Sequence, residues 1–277
     1  MVITYIYVIM KVPKVSIVIP TYNRAHLFKR SLECYAYQTV KDFEIILLDD
    51  SSTDDMQQVC RELAPSLGLD IKHFWFHKPL GTGFRDGCCQ INYGIRASVG
   101  DLIITTAPEI MPGKNTIERM INRVASSGGN DCTHWFSAKT YLLSPEQQGT
   151  LDNYDWRGLG APVAVRQIPE FYKEPPLDGS CIAFYPSEID RQPIFGCCMF
   201  CGMTRKGWRM IGGQPETPVW GAPDVSFLNE RSRRRITEIT LQDKESYCVH
   251  QYHDTSHRDM DKCLANMLTG PWDFIRW

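Results

Sequence analysis

Two short, β-branched, continuously apolar runs stand near the start of the chain, Val15 to Pro20 (VSIVIP) and Phe43 to Leu48 (FEIILL). Runs of this length without polar alternation read as strands buried on both faces, and therefore as neighbours in a parallel sheet. Between them Phe28, Leu32 and Tyr35 recur at helical spacing and supply the crossover that a parallel pair requires. Ser51 and Ser52 are placed to cap a helix beginning near Thr53, with Asp54 and Asp55 in its first turn, where the helix dipole favours acid. Asp70 to Phe76 is a third strand candidate. Gly81-Thr82-Gly83 then opens a helix with Phe84, Cys88, Ile91 and Ile95 on one face, closed by Gly100. Asp101 to Thr106 (DLIITT) is a fourth strand, and Asn115 to about Val124 a helix whose Ile117, Met120, Ile121 and Val124 share a face. This alternation predicts an α/β fold, an open and mostly parallel Rossmann-like sheet with helices on both faces.

The pattern changes after Gly128-Gly129. From Ser144 to Pro193 the chain is rich in Pro, Gly, aromatic and polar residues with no sustained period, which predicts long loops with short strands, a region suited to specificity. Phe195 to Cys201 resumes an apolar strand. Thr204 to Ile211 reads as a short helix ended by Gly212-Gly213, and Asp224 to Arg235 as another, with Val225 and Leu228 inward and Arg231, Arg233, Arg234 and Arg235 in its C-terminal half. There is no internal repeat. The expected organisation is one domain over 1–277, with a first half at 15–125, a second half at 126–241 and a C-terminal tail at 242–277.

Composition narrows the function classes. With 277 residues, 43% hydrophobic and 22% charged, disordered, collagen-like and low-complexity readings drop out. Thirty basic against thirty-two acidic side chains give a net charge of -2, so no field of the whole molecule gathers nucleic acid or anionic lipid, and any polyanion site is local. Eleven cysteines, an odd number without regular spacing, favour a reducing compartment and a cytoplasmic location. Met1 to Met10 is apolar but is interrupted by Lys11, Pro13 and Lys14 and lacks a signal-peptide cleavage site, so it reads as an added edge strand or a start-site extension.

In open α/β sheets ligands sit outside the carboxyl ends of the strands. Three polar strand ends stand there: Pro20-Thr21-Tyr22-Asn23-Arg24, Asp49-Asp50-Ser51-Ser52-Thr53-Asp54 and Ala107-Pro108-Glu109-Ile110. VSIVIPTYNR followed by FEIILLDDSSTDD resembles the opening of the family 2 glycosyltransferases, which have the GT-A fold and use nucleotide-sugars. The likeness runs from Val15 to about Ile121, returns from Gly196 to Asp224 and is weak in between. It implies that Tyr22 stacks on the nucleobase, that Pro20, Thr21 and Asn23 line its pocket, that Asp50 accepts from the base N3-H, and that Arg85 helps to hold the nucleotide. A flat aromatic face with one acceptor at a strand end suits a uracil-like ring. A capping role for Asp50 and helix packing for Tyr22 are the structural alternatives.

The family's Asp-x-Asp signature falls where this chain has Thr106-Ala107-Pro108-Glu109. The resemblance puts Glu109 at the metal-binding position, while Ala107 and Pro108 offer no ligand. One carboxylate with diphosphate oxygens and water suffices for Mn²⁺ or Mg²⁺. The C-terminal His250-Gln251-Tyr252-His253 offers further ligands, and the two histidines share a face only if the strand turns into a helix. Imidazole ligation favours Mn²⁺, and the expectation is Glu109 with His250 or His253. Further along, Ile211-Gly212-Gly213 and Trp220-Gly221-Ala222-Pro223-Asp224 resemble the family's Gly-Gly turn and its Trp-Gly-x-Glu-Asp segment, with Pro223 in place of an acid. This makes Asp224 the catalytic base, with helix capping as its other role, and gives Trp220 and Gly213 a place beside the sugar or the acceptor.

Other clusters point elsewhere. Cys197, Cys198 and Cys201 read as core, because adjacent strand residues face opposite ways and no second pair follows at zinc spacing. The arginine run reads as a solvated helix end or as a contact for diphosphate or acidic acceptor. The aromatic tail from Pro271 to Trp277 is suited to docking on the body, on a second subunit or on a membrane surface. Taken together, the expected activity is inverting transfer from a nucleoside diphosphate sugar, UDP-linked on family frequency, to an acceptor hydroxyl. The alternative is a non-catalytic binding module that kept the fold. Nucleotidyl transfer ranks third, since there is no glycine-rich phosphate loop of the P-loop kind.

Overall fold

The computed structural model describes residues 14–77, 87–143, 145–152, 199–214, 227, 230–241 and 246–253. Its strands are β1 (Val15–Thr21), β2 (Phe43–Asp49), β3 (Ile71–Trp75), β4 (Leu102–Thr106), β5 (Ile110–Pro112), β6 (Trp135–Leu142), β7 (Phe200–Thr204), β8 (Glu238–Leu241) and β9 (Tyr247–His250). They form one sheet in the order β3-β2-β1-β4-β7-β6-β9-β5, with β8 paired to β6 off that path. Pairing is parallel from β3 to β4 and where β8 and β9 meet β6; β7 and β5 run against their neighbours. Thr21 lies opposite Asp49, so β1 and β2 end flush and their following loops leave the sheet side by side.

The central strands β1, β2 and β4 feed two cores because successive side chains point to opposite faces. On one face Ile17, Ile19, Ile45 and Leu47 meet Phe28, Leu32 and Tyr35 of α1 (Ala25–Ala36) and Ile117, Met120, Ile121 and Val124 of α5 (Thr116–Ser126). On the other, Val18, Ile46, Leu48 and Ile103 meet Ile91 and Ile95 of α4 (Cys88–Ala97) and Trp208 and Ile211 of α7 (Arg205–Ile211). Gly94 lets α4 lie this close: a Cβ there would come within 2.6 Å of both Leu48 Cδ1 and Val18 Cγ1. Phe227, Trp135 and Trp208 close the second core, with Phe227 5.0 Å from Trp135 and 5.7 Å from Trp208 between ring centroids.

Several expectations are corrected. The helix expected from Thr53 starts later, at α2 (Met56–Gln58), and continues through a π turn (Val59–Leu63) into α3 (Ala64–Ser66). Ser51 and Ser52 do not cap it, because their hydroxyls bond Phe76 and Asn23 instead. α4 ends at Ala97, where Ser98 turns extended, so Gly100 does not close it. Part of the stretch expected to be loop is helical, α6 (Pro145–Asp152). The arginine run is not simply a solvated helix end: Arg231 is buried, 2.7 Å from Glu238 and over the Trp135 ring. The glycines at 81 and 83, the N-terminal apolar stretch, Cys197, Cys198 and the aromatic tail lie outside the described residues.

The amino edge of the sheet is tied by one buried carboxylate. Glu44 Oε1 accepts from Ser16 Oγ at 2.5 Å and from the Val99 backbone N–H at 2.7 Å, while Lys72 Nζ lies 2.6 Å from Oε2. Burial by itself would raise the Glu44 pKa, but the bonds from Lys72, Ser16 and Val99 outweigh it and hold the carboxyl below its ordinary value. A carboxyl depressed in the folded state contributes stability above its unfolded pKa and loses it as the pH falls through the folded one. Glu44→Gln is therefore expected to destabilise the fold by about 1–3 kcal/mol at pH 7. The gap between variant and wild type should close under acid conditions, as read from denaturant midpoints on both sides of the carboxylate range.

Candidate functional site

The loops after β1 and β2 are built as one piece. The Asp50 N–H donates to the Thr21 carbonyl at 2.9 Å, the Asn23 N–H to Ser52 Oγ at 2.9 Å, and the Thr53 N–H to Asn23 Oδ1 at 2.7 Å. Asn23 and Ser51 both take left-handed backbone angles, φ 52° and 66°. Asn tolerates that region; Ser does so at some strain, which the surrounding bonds hold in place. Asp54 serves two helix starts, accepting from the Ala25 N–H at 2.9 Å and from the Met56 N–H at 3.2 Å. Asp49 accepts from the Ser52 N–H at 2.7 Å and faces His73 Nε2 at 3.2 Å, which leaves Asp50 as the acid turned toward α4. There Gln90 Nε2 donates to Asp50 Oδ1 at 3.0 Å, both side chains being buried. Tyr22 and Pro20 are half-buried at the same edge, Thr21 is buried, and Arg85 lies outside the described residues.

A second group lies at the start of β5. Glu109 is buried, and its Oε1 is 3.1 Å from His253 Nε2 and 3.5 Å from His250 Nε2. Burial would raise the Glu109 pKa, yet the hydrogen bonds and charge of the two histidines override it and hold the carboxyl well below the usual carboxylate range. β9 delivers His250, paired with Ile110, and there the strand stops. Gln251 fixes the exit: its Nε2 donates to the Leu27 and Glu109 carbonyls at 2.9 and 3.2 Å, and its Oε1 accepts from Arg30. The Tyr252 N–H then donates to Gln148 Oε1 of α6 at 2.9 Å, and His253 comes back onto Glu109. The two histidines thus meet one carboxylate through an irregular exit from the strand, not through the helix the sequence allowed for, and the structure brings in both rather than one.

This donor set fits a divalent ion. The three ligand atoms lie within 4.8 Å of one another. Two donors about 2.1–2.2 Å from one ion are roughly 3.0 Å apart in an octahedron and roughly 3.5 Å apart in a tetrahedron, which brackets the two Glu109–histidine distances. One carboxylate with two imidazoles suits Mn²⁺ better than Mg²⁺.

The two groups are neighbours, since Arg24 Nη2, two residues past Tyr22, lies 3.3 Å from His253 Nδ1. Gly213 has φ 86° and leads into buried Gln214, whose backbone N–H and C=O both bond the Asn92 side chain, at 2.8 and 2.7 Å. Trp220 and Asp224 lie outside the described residues. Gln90 and Gln148 carried no sequence signal, and Arg24 and Gln251 stood in segments singled out above but without a role of their own; each is given meaning by a contact distant in the chain.

Comparison with known proteins bears on family and fold. The profile of Glycosyl transferase family 2 matches residues 16–138. The validoxylamine A glucosyltransferase of Streptomyces hygroscopicus subsp. jinggangensis is 33% identical over 256 residues, covering 89% of this chain and 57% of that protein. The chain spans about half the length of the curated relatives it matches. Among solved structures, a Pyrobaculum calidifontis mannosyltransferase with GDP-Man and Mn²⁺ superposes with a TM-score of 0.56 at 18% identity, covering 94% of this chain and 63% of that one. S. aureus TarS 1-349 with UDP-GlcNAc superposes with a TM-score of 0.58 at 16% identity, covering 88% and 60%. At these identities the likeness speaks for the fold alone. Profile, relative and fold converge on one conclusion, that the chain has the GT-A fold and that its residues 16–138 match glycosyl transferase family 2.

Proposed function

We propose that the chain moves a sugar from a nucleoside diphosphate sugar, UDP-linked, to an acceptor hydroxyl, with inversion at the anomeric carbon and with the help of a divalent ion. The observation that carries this reading is the meeting of Glu109, His250 and His253 beside the loop that holds Tyr22. The neighbours bound to GDP-Man and to UDP-GlcNAc support a nucleotide-sugar donor. Tyr22 stacks on the base, Asp50 accepts its imide N–H, and Pro20, Thr21 and Asn23 shape the floor, with Arg85 on the nucleotide. Glu109, His250 and His253 hold the ion, which when bound neutralises charge on the leaving diphosphate. Asp224 takes the proton of the acceptor hydroxyl as its oxygen attacks, with Trp220 and Gly213 lining the sugar side. The cysteine content supports a cytoplasmic setting for this chemistry. Among the described residues no helix is long and apolar enough to cross a membrane.

Asp50→Asn tests the base pocket. Gln90 donates to one carboxylate oxygen, and the proposed base donates to the other. An Asn must then turn its NH₂ toward one of two donors, whichever way the amide lies. UDP should bind about 10- to 100-fold more weakly, the worth of a charged hydrogen bond, with little change in melting temperature. Unchanged UDP affinity by calorimetry would remove Asp50 from the pocket.

Ala107 and Pro108 favour a second reading, a binding module without catalysis. Calorimetry with UDP with and without Mn²⁺, beside an assay of UDP-sugar hydrolysis, separates the two. Binding strengthened by Mn²⁺ with slow hydrolysis supports the enzyme; binding indifferent to metal, without turnover, supports the module.

A further inference from the structure

A buried amide faces a buried acid at the edge of the proposed base pocket. Gln90 stands in the first turn of α4, and its Nε2 donates to Asp50 Oδ1 at 3.0 Å. Both side chains are buried, and 40 residues separate them in the chain. An ionised carboxylate only accepts hydrogen bonds, so the NH₂ end of the amide is the end that meets it. The other end, Oε1, accepts from the Cys89 thiol at 2.8 Å, and the amide is held at both ends. A buried glutamine carries a desolvation cost that an apolar residue would not, and the bond to Asp50 offsets it. α4 is seated for this contact: a Cβ on Gly87, just before its first residue, would come within 3.0 Å of Pro20 Cβ. The Asp50 N–H donates to the Thr21 carbonyl at 2.9 Å, so the main chain and the side chain of this acid are fixed separately.

We propose that Gln90 is a positioning residue for base recognition and sets which rings the pocket takes. By holding Oδ1 it fixes the plane of the carboxylate and keeps the second oxygen for the ring edge. The neutrality of this partner matters. A lysine or arginine would answer the negative charge with a full positive one, whereas an amide fixes the geometry and leaves the charge to the base. A fixed anionic acceptor selects a ring whose edge carries an imide N–H, as uracil does. It rejects cytosine, whose corresponding nitrogen has a lone pair, because two acceptors then face each other without a proton. Gln90 acts through Asp50, and its role rests on the reading of Asp50 as the acid that accepts from the base.

Calorimetry with UDP and CDP reads this choice as a ratio. The wild type should bind UDP at least about tenfold more tightly than CDP, the size of one well-placed hydrogen bond set against an unpaired one. Gln90→Met, of similar length and without a donor, should weaken UDP about tenfold and CDP by less than about threefold, so that the preference shrinks. A side chain that merely packs would weaken both alike on replacement. Exchanging the two roles gives a second test, with the same total charge and the same hydrogen bond. In the double variant Asp50→Asn, Gln90→Glu, the new amide donates to the new carboxylate and turns its oxygen to the base. It should recover about tenfold of the UDP affinity that Asp50→Asn alone loses. If Gln90→Met does not fold, the double variant decides. A wild-type ratio in Gln90→Met, or a double variant that binds UDP no better than Asp50→Asn, overturns the positioning role. A wild type that binds UDP and CDP alike, or Asp50→Asn with unchanged UDP affinity, removes the base pocket itself, a separate failure that takes the role of Gln90 with it.

Discussion

Glu109→Gln is expected to lower the rate of sugar transfer at saturating donor by at least about 10²-fold and to abolish the response to added Mn²⁺, while the protein stays folded. The loss follows from charge. Glu109 is the one acid of the three-residue cluster, so the variant offers an ion two neutral imidazoles and an amide oxygen. Stabilising the charge that develops on a leaving group is commonly worth several kcal/mol, or two to three orders of magnitude in rate. Folding is preserved because glutamine has the same shape and its Oε1 still accepts from His253. The backbone is also held independently, by the bonds of Gln251 to the Glu109 carbonyl and by the pairing of β5 with β9. Activity is measured after chelation, across a Mn²⁺ titration, beside a thermal melt. Wild-type dependence on Mn²⁺ in the variant would move the ion to other residues.

How the cluster forms shows which parts of the molecule could be read from sequence. β1, β2 and α1 were legible because their apolar residues follow a single period and their partners are near in the chain. α4 was legible by its buried stripe of Cys88, Ile91 and Ile95, although its start and end were not. α6 was hidden. Its residues carry no apolar period, and what the described contacts show of its role is Gln148, which receives the Tyr252 N–H far along the chain. Glu109 and His253 are 144 residues apart, so no local spacing relates them; they meet because β5 and β9 pair and because Gln251 bends the chain out of the sheet. Arg231 misled for a related reason. A run of arginines has the pattern of a solvated end, and only the fold places one of them over the Trp135 ring and against Glu238. Periodicity located the buried stripes, the resemblance located Glu109 and the C-terminal histidines, and polar contacts such as Arg24–His253 and Gln148–Tyr252 had no local pattern to announce them.

Asp224→Asn is expected to leave nucleotide affinity and melting temperature near their wild-type values and to lower transfer by about 10²- to 10⁴-fold, the range typical of a lost general base. Two roles compete in the proposed reading of Asp224, proton acceptor and helix cap. Asparagine separates them, because it caps a helix about as well as aspartate but takes up no proton from a hydroxyl. Were the residue only a cap, Asn would be nearly silent, whereas Ala would lower stability by about 1 kcal/mol without a specific loss of turnover. Both ends of the segment that contains it are fixed: Gln214 is clamped by Asn92 and accepts from Cys88 Sγ, and Phe227 is fully buried against Trp135 and Trp208. The pH profile adds an independent readout. Transfer by the wild type requires the base ionised, so its rate should rise with pH on the acid side, and that limb should disappear from the residual activity of the variant. A variant that turns over at close to the wild-type rate, or that keeps the acid limb, assigns the proton to another group.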